Sequence, residues 1–95
     1  MALKKITAVI TGRVQGVGFR YYVADKAELL GITGWVANQF DGSVKTVGVG
    51  DEESIQDFLL YLRKGPSMAR IENVKYNIED VERNEFSSFD IRFSL

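Results

Sequence analysis

The chain has 95 residues, 45% of them hydrophobic and 26% charged, the profile of one ordinary globular domain spanning residues 1–95. Its net charge is -1, and its twelve Lys and Arg residues are scattered, which argues against a nucleic-acid or acidic-membrane partner that would leave a basic stripe. Cysteine and histidine are both absent, which removes disulfides, thiolate nucleophiles, imidazole bases and zinc sites of the usual composition, so any catalysis must need little proton-transfer help at neutral pH.

Met1-Ala2-Leu3-Lys4-Lys5 leads into a strand without the apolar core of a signal peptide, and no run is long enough to span a bilayer. A cytoplasmic protein is expected. Ile6, Ala8 and Ile10 alternate with polar or small neighbours and predict a half-buried strand over about 5–12. Phe19, Val23, Ala27 and Leu30 recur at helical spacing, predicting a helix from Gly18 or Phe19 to Leu30, with Gly31 as its left-handed cap. A strand is expected over 32–40, a tight turn at Asp41-Gly42, and a hairpin partner over 43–49. The second helix carries Asp51 as N-cap and Glu52 and Glu53 at its positive end. Ile55, Phe58, Leu59 and Leu62 form its apolar stripe, Arg63 and Lys64 suit its negative end, and Gly65-Pro66 is the stop. Val74, Tyr76 and Ile78 share one face of a fourth strand, and Phe89, Ile91, Phe93 and Leu95 one face of a short last one. Right-handed crossovers and one hairpin are reconciled by an α+β, ferredoxin-like split βαβ sandwich, β-α-β-β-α-β plus a C-terminal strand. The sheet is then mixed, mostly antiparallel, with both helices on one face.

The segment Gly12-Arg13-Val14-Gln15-Gly16-Val17-Gly18-Phe19-Arg20 sets an arginine in a helix's first turn, where unpaired N–H groups already carry partial positive charge. An anion held between arginine and amides is the simplest compensation, and glycines at 16 and 18 let the loop amides converge on it. Strand, glycine loop and Arg20 read as an oxyanion cradle, with phosphate the expected anion. A dinucleotide fingerprint would need a glycine near Tyr21, and a Walker loop would need Gly-Lys-Ser/Thr. Phe19, Tyr21 and Tyr22 also echo an RNA-binding submotif, but they fall at a helix start and not on a central strand. Trp35 reads mainly as a packing residue and Arg13 as a solvated strand end. Asn38, at a hairpin mouth, is either a turn residue or a neutral side chain able to position a water.

These segments, with Leu30-Gly31-Ile32-Thr33-Gly34-Trp35-Val36-Ala37-Asn38, Asp41-Gly42-Ser43-Val44 and Gly65-Pro66, resemble the acylphosphatases in order over almost the whole chain. Phe40 stands where a proline is frequent, and Ser67 where a second proline is common. The resemblance implies that Arg20 binds the substrate phosphate together with the backbone amides of Gln15, Gly16, Val17, Gly18 and Phe19, and that Asn38 orients the attacking water. The expected substrate is a small acyl phosphate, the protein a monomer, with no cofactor and no metal. A carboxylate leaving group, whose conjugate acid has a pKa of roughly 4, needs no general acid. The alternative is a non-catalytic anion-binding module of an acyl- or carbamoyl-transfer system.

Overall fold

A computed structural model describes residues 2–94, in the order β1 (Leu3–Arg13), α1 (Phe19–Leu30), β2 (Thr33–Asn38), β3 (Val44–Asp51), α2 (Glu52–Lys64), β4 (Arg70–Val81) and β5 (Phe89–Ser94). The strands form one sheet in the order β4-β1-β3-β2-β5. Every neighbouring pair is antiparallel except β2 and β5, which run parallel. This is the ferredoxin-like sandwich that the element order calls for, with a fifth strand added beside β2.

Alternation along β1 puts Ile6, Ala8 and Ile10 under the helices, all fully buried. They meet Phe19, Val23 and Ala27 of α1 and Ile55, Phe58, Leu59 and Leu62 of α2, closing the core with Val36 and Val44. Val74 and Ile78 pack against this core, whereas Tyr76, in the same alternation, is partly exposed beneath the Arg63 guanidinium, 5.5 Å from its ring centroid. At Gly48 of β3 a Cβ would stand 2.9 Å from Ile32 Cγ2 and 3.3 Å from a Phe58 ring carbon, so the missing side chain lets α2 settle onto the sheet. Leu95, expected on the last strand, lies outside the described residues.

The connection from β4 to β5 reaches across to the other edge of the sheet. On the way Glu85 accepts from Lys5 Nζ at 2.9 Å, Asn84 Nδ2 donates to Thr33 Oγ1 at 2.6 Å, and Ser88 O accepts from Gly34 N at 2.9 Å. These bonds fix where β5 begins, and β5 contributes to the site described below. Among the described residues no helix is long and apolar enough to cross a membrane.

Both helices end on local chemistry. Gly31 caps α1 in the left-handed region, its N–H directed at the Ala27 and Glu28 carbonyls. Asp51 caps α2, its Oδ1 accepting from Ser54 N at 2.8 Å, and the hydrogen bonds from Ser54 hold its carboxyl below the ordinary value. A carboxyl depressed in the folded state adds stability above its unfolded pKa of about 3.9, and that stability is lost as pH falls through the folded value. Asn is an equally good cap but lacks the charge that suits a helix N-terminus. Asp51→Asn should therefore lower Tm at pH 7 by on the order of 2–5 °C, and the gap should close below about pH 4. Thermal melts across pH test this; a gap of constant size would show that the charge contributes nothing.

Candidate active site

One end of the sheet gathers the C-terminal ends of β1, β2 and β5, the start of β3 and the N-terminus of α1. Loop 14–18 spans it. Val14 is buried and anchors the loop, while Gly16 and Gly18 take φ of 74° and 76°, left-handed values that any other residue would hold only under strain. Gly18 is the N-cap of α1 but brings no side chain to satisfy the first amides, and the first turn holds no acidic residue. The helical ladder opens with Tyr22 N donating to Gly18 O at 3.0 Å. Among the described residues no backbone acceptor takes the amides of residues 15–21. A string of uncommitted donors at a helix N-terminus, reinforced by the helix dipole, is an anion site in electrostatic terms.

Gln15 ties the loop to the β2–β3 hairpin through its side chain: Nε2 donates to Gln39 O at 2.8 Å and to Ser43 O at 2.9 Å. The hairpin is itself cross-braced. Gln39 N donates to Ser43 O, and the buried Ser43 hydroxyl lies 2.6 Å from Asp41 Oδ1 and 2.8 Å from Gln39 Oε1. Hydrogen bonds from the Ser43 hydroxyl and amide hold the Asp41 carboxyl below its usual value. The glycine loop is thus fastened to the residue immediately following Asn38.

Arg20 is fastened to the other side. Its Nη1 donates to the Arg92 carbonyl at 2.8 Å, and its guanidinium carbon lies 5.8 Å from the Phe93 ring centroid. Arg92 pairs with Ala37 and Ser94 with Asn38 across the parallel β2–β5 ladder, which shifts register between those pairs. Arg20 and Asn38 therefore belong to the same corner, one from the helix start and one from the strand end. Asn38 sits on the helix side of β2, in alternation with Val36. Its Oδ1 is buried and has no hydrogen-bond donor among the described residues. Such an atom is costly to leave unmatched and is rare in folded proteins.

Each expected site residue falls within this corner: Gln15, Gly16, Val17, Gly18 and Phe19 in the loop and helix start, with Arg20 and Asn38 on either flank. Phe19 is the exception in direction, since its side chain is buried in the core and only its backbone faces the loop. Arg13 is exposed at the end of β1, as expected of a solvated position. Sequence reasoning missed two positioning groups, the Gln15 side chain and the Arg92 carbonyl. Neither has a local signal, because each acts through a partner 24 or more residues away. Trp35 lies on the sheet face away from the helices, partly covered by the Arg92 guanidinium, 4.7 Å from its ring centroid. No group of three or more His, Cys, Asp and Glu side chains placed to hold a metal ion occurs among the described residues.

A family model described as acylphosphatase matches residues 6–91. An acylphosphatase of Caldanaerobacter subterraneus subsp. tengcongensis is 50% identical over 72 residues, covering 76% of this chain and 80% of that one. The crystal structure of acylphosphatase from Bacillus subtilis superposes with a TM-score of 0.89 at 29% identity, covering 95% of this chain and 99% of that one. Full-length HypF, in a phosphate- and nucleotide-bound form, contains a similar region, with a TM-score of 0.85 at 28% identity. It covers 99% of this chain but 12% of that much longer one. A match running from the first strand to the last, over the glycine loop and the Asn38 strand end alike, places this chain in the acylphosphatase family.

Proposed function

We propose that the protein hydrolyses acyl phosphates to a carboxylate and inorganic phosphate, as a single domain and without a metal. In this reading Arg20 and the amides of Gln15, Gly16, Val17, Gly18 and Phe19 hold the phosphoryl group, and Asn38 orients the attacking water. The observation that carries it is the pairing of uncommitted amide donors beside Arg20 with a buried, unmatched acceptor, Asn38 Oδ1, in the same corner. The donors suit phosphate oxygens, and the acceptor suits a water proton.

The chemistry asks for little more. In-line attack on phosphorus passes through a loose transition state whose charge spreads over the peripheral oxygens. Positioning and preorganised donors are then the main contributions, and arginine with fixed amides supplies both. The leaving carboxylate departs unprotonated, because its conjugate acid has a pKa of roughly 4. With no histidine or cysteine in the chain, the proton lost by the water passes to the substrate's own phosphate oxygen. An alkoxide leaving group would need a general acid that this corner does not offer, so simple phosphate monoesters are poor substrates.

The experiment is release of phosphate from benzoyl phosphate, with and without EDTA. Hydrolysis well above the spontaneous rate, unchanged by the chelator, is the expected result. Activity lost in EDTA and restored by magnesium would overturn the metal-free mechanism. A second reading is a non-catalytic phosphate-binding module of an acyl- or carbamoyl-transfer system, and the observation in its favour is that a similar fold makes up 12% of the phosphate- and nucleotide-bound HypF chain. Phosphate binding without any hydrolysis would select it.

A further inference from the structure

Large apolar side chains are exposed beside Arg20, and they belong to one trough. Tyr21 is 72% exposed, Phe93 89% and Ile91 38%. With Arg20 they line a pocket of about 190 Å³. Tyr21 and Ile91 also line a second depression of about 580 Å³ that continues along α1, past Ala24, Asp25 and Glu28 to Phe89 of β5. Its origin is geometric. Tyr21, Asp25 and Glu28 form one stripe of α1, and Phe89, Ile91 and Phe93 alternate on the helix side of the edge strand β5, so the trough is the furrow between that helix and that edge. Asn38 lines neither pocket.

We propose that this trough is the acyl subsite of the reaction inferred above, and that it selects acyl phosphates whose acyl group is apolar and uncharged. The proposal rests on Arg20 as the phosphate clamp. In-line displacement puts water and leaving group on opposite sides of phosphorus. Asn38 serves the water, so the acyl group leaves on a side that Asn38 does not line, and the trough begins at Arg20 itself. Its near part offers the aromatic rings of Tyr21 and Phe93 and the aliphatic surface of Ile91, which favour burying an apolar acyl chain. Its far part holds Asp25 and Glu28, roughly 6 and 10 Å along the helix from Tyr21. Neither carboxylate is in an ion pair among the described residues. They disfavour an acyl group carrying a second negative charge, such as that of a dicarboxylic acid.

The test uses the methylene analogues of acyl phosphates, which bind without reacting, with affinities measured by calorimetry. Wild type should bind 2-oxo-2-phenylethylphosphonate roughly tenfold or more tightly than 2-oxopropylphosphonate, the difference between a phenyl and a methyl group in an apolar pocket. Tyr21→Ser and Ile91→Ser, at positions exposed enough to tolerate the change, should remove most of that preference. A 4-carboxyphenyl derivative should bind roughly three- to tenfold less well than its phenyl parent, a gap that Asp25→Asn with Glu28→Gln narrows. Equal affinity for the first two ligands, no binding of either, or a preference that survives both serine variants overturns the subsite. Failure to hydrolyse benzoyl phosphate overturns the proposed activity instead, and the phosphonate ratio still decides the subsite.

Discussion

Arg20→Lys should lower turnover of benzoyl phosphate on the order of 10²-fold or more and raise the inhibition constant for inorganic phosphate in parallel. The charge survives this change, so the expected loss comes from shape. The guanidinium is a planar fork with five donors, and one of them is already spent on the Arg92 carbonyl at 2.8 Å. That bond, with the Phe93 ring alongside, holds the plane while the remaining donors engage two phosphate oxygens together. Lysine offers one rotatable ammonium, which cannot keep the Arg92 anchor and clamp two oxygens at once. It would also have to stay in place beside the positive end of α1, which disfavours a free cation. The exposed Arg13 supplies the control: Arg13→Ala removes a similar charge a few residues away and should change either constant less than about threefold, because exposed charges contribute little. Measuring turnover and phosphate inhibition for both variants, with folding followed by circular dichroism, decides the matter. An Arg20→Lys enzyme as active as wild type would mean that the amides alone hold the phosphate.

What could be read in the sequence, and what could not, divides along the range of the interactions. The helices are found where periodicity and caps place them, α1 ending at Gly31 and α2 starting after Asp51, because those signals act within a turn or two. Strand ends are less legible. β2 was expected to run to residue 40 and stops at Asn38, where the Gln39–Ser43 bonds close the hairpin. Conversely, β1 starts at Leu3 and reaches Arg13 because β4 pairs with it over its whole length. The fifth strand was visible as an alternating segment, but nothing in it announces a parallel pairing with β2 or the use of its Arg92 carbonyl to hold Arg20. For the same reason the glycine loop and Arg20 stand out as local anomalies, a cation at a positive helix end, whereas the position of Asn38 alone leaves a turn residue and a water-positioning group both open, the resemblance singles out the second, and burial of its Oδ1 is visible only in the structure.

Asn38→Ala should separate binding from chemistry. If the side chain serves the water and not the phosphate, the inhibition constant for phosphate should stay within about twofold while turnover falls on the order of 10²-fold or more. The structure adds a second readout. Removing a buried group normally costs stability because a partner is left behind, but Asn38 Oδ1 has no donor to orphan among the described residues. Deleting it leaves no protein donor unpaired, so the usual penalty of roughly 1–3 kcal/mol for a stranded buried partner does not arise. Only the small volume of the lost side chain is felt, so Tm should hold steady. The two measurements together discriminate sharply. A fall in Tm with turnover intact would make Asn38 an ordinary turn residue, bonded in solution to something structural. Lost turnover with unchanged phosphate binding and an unchanged Tm is what a water-orienting amide requires.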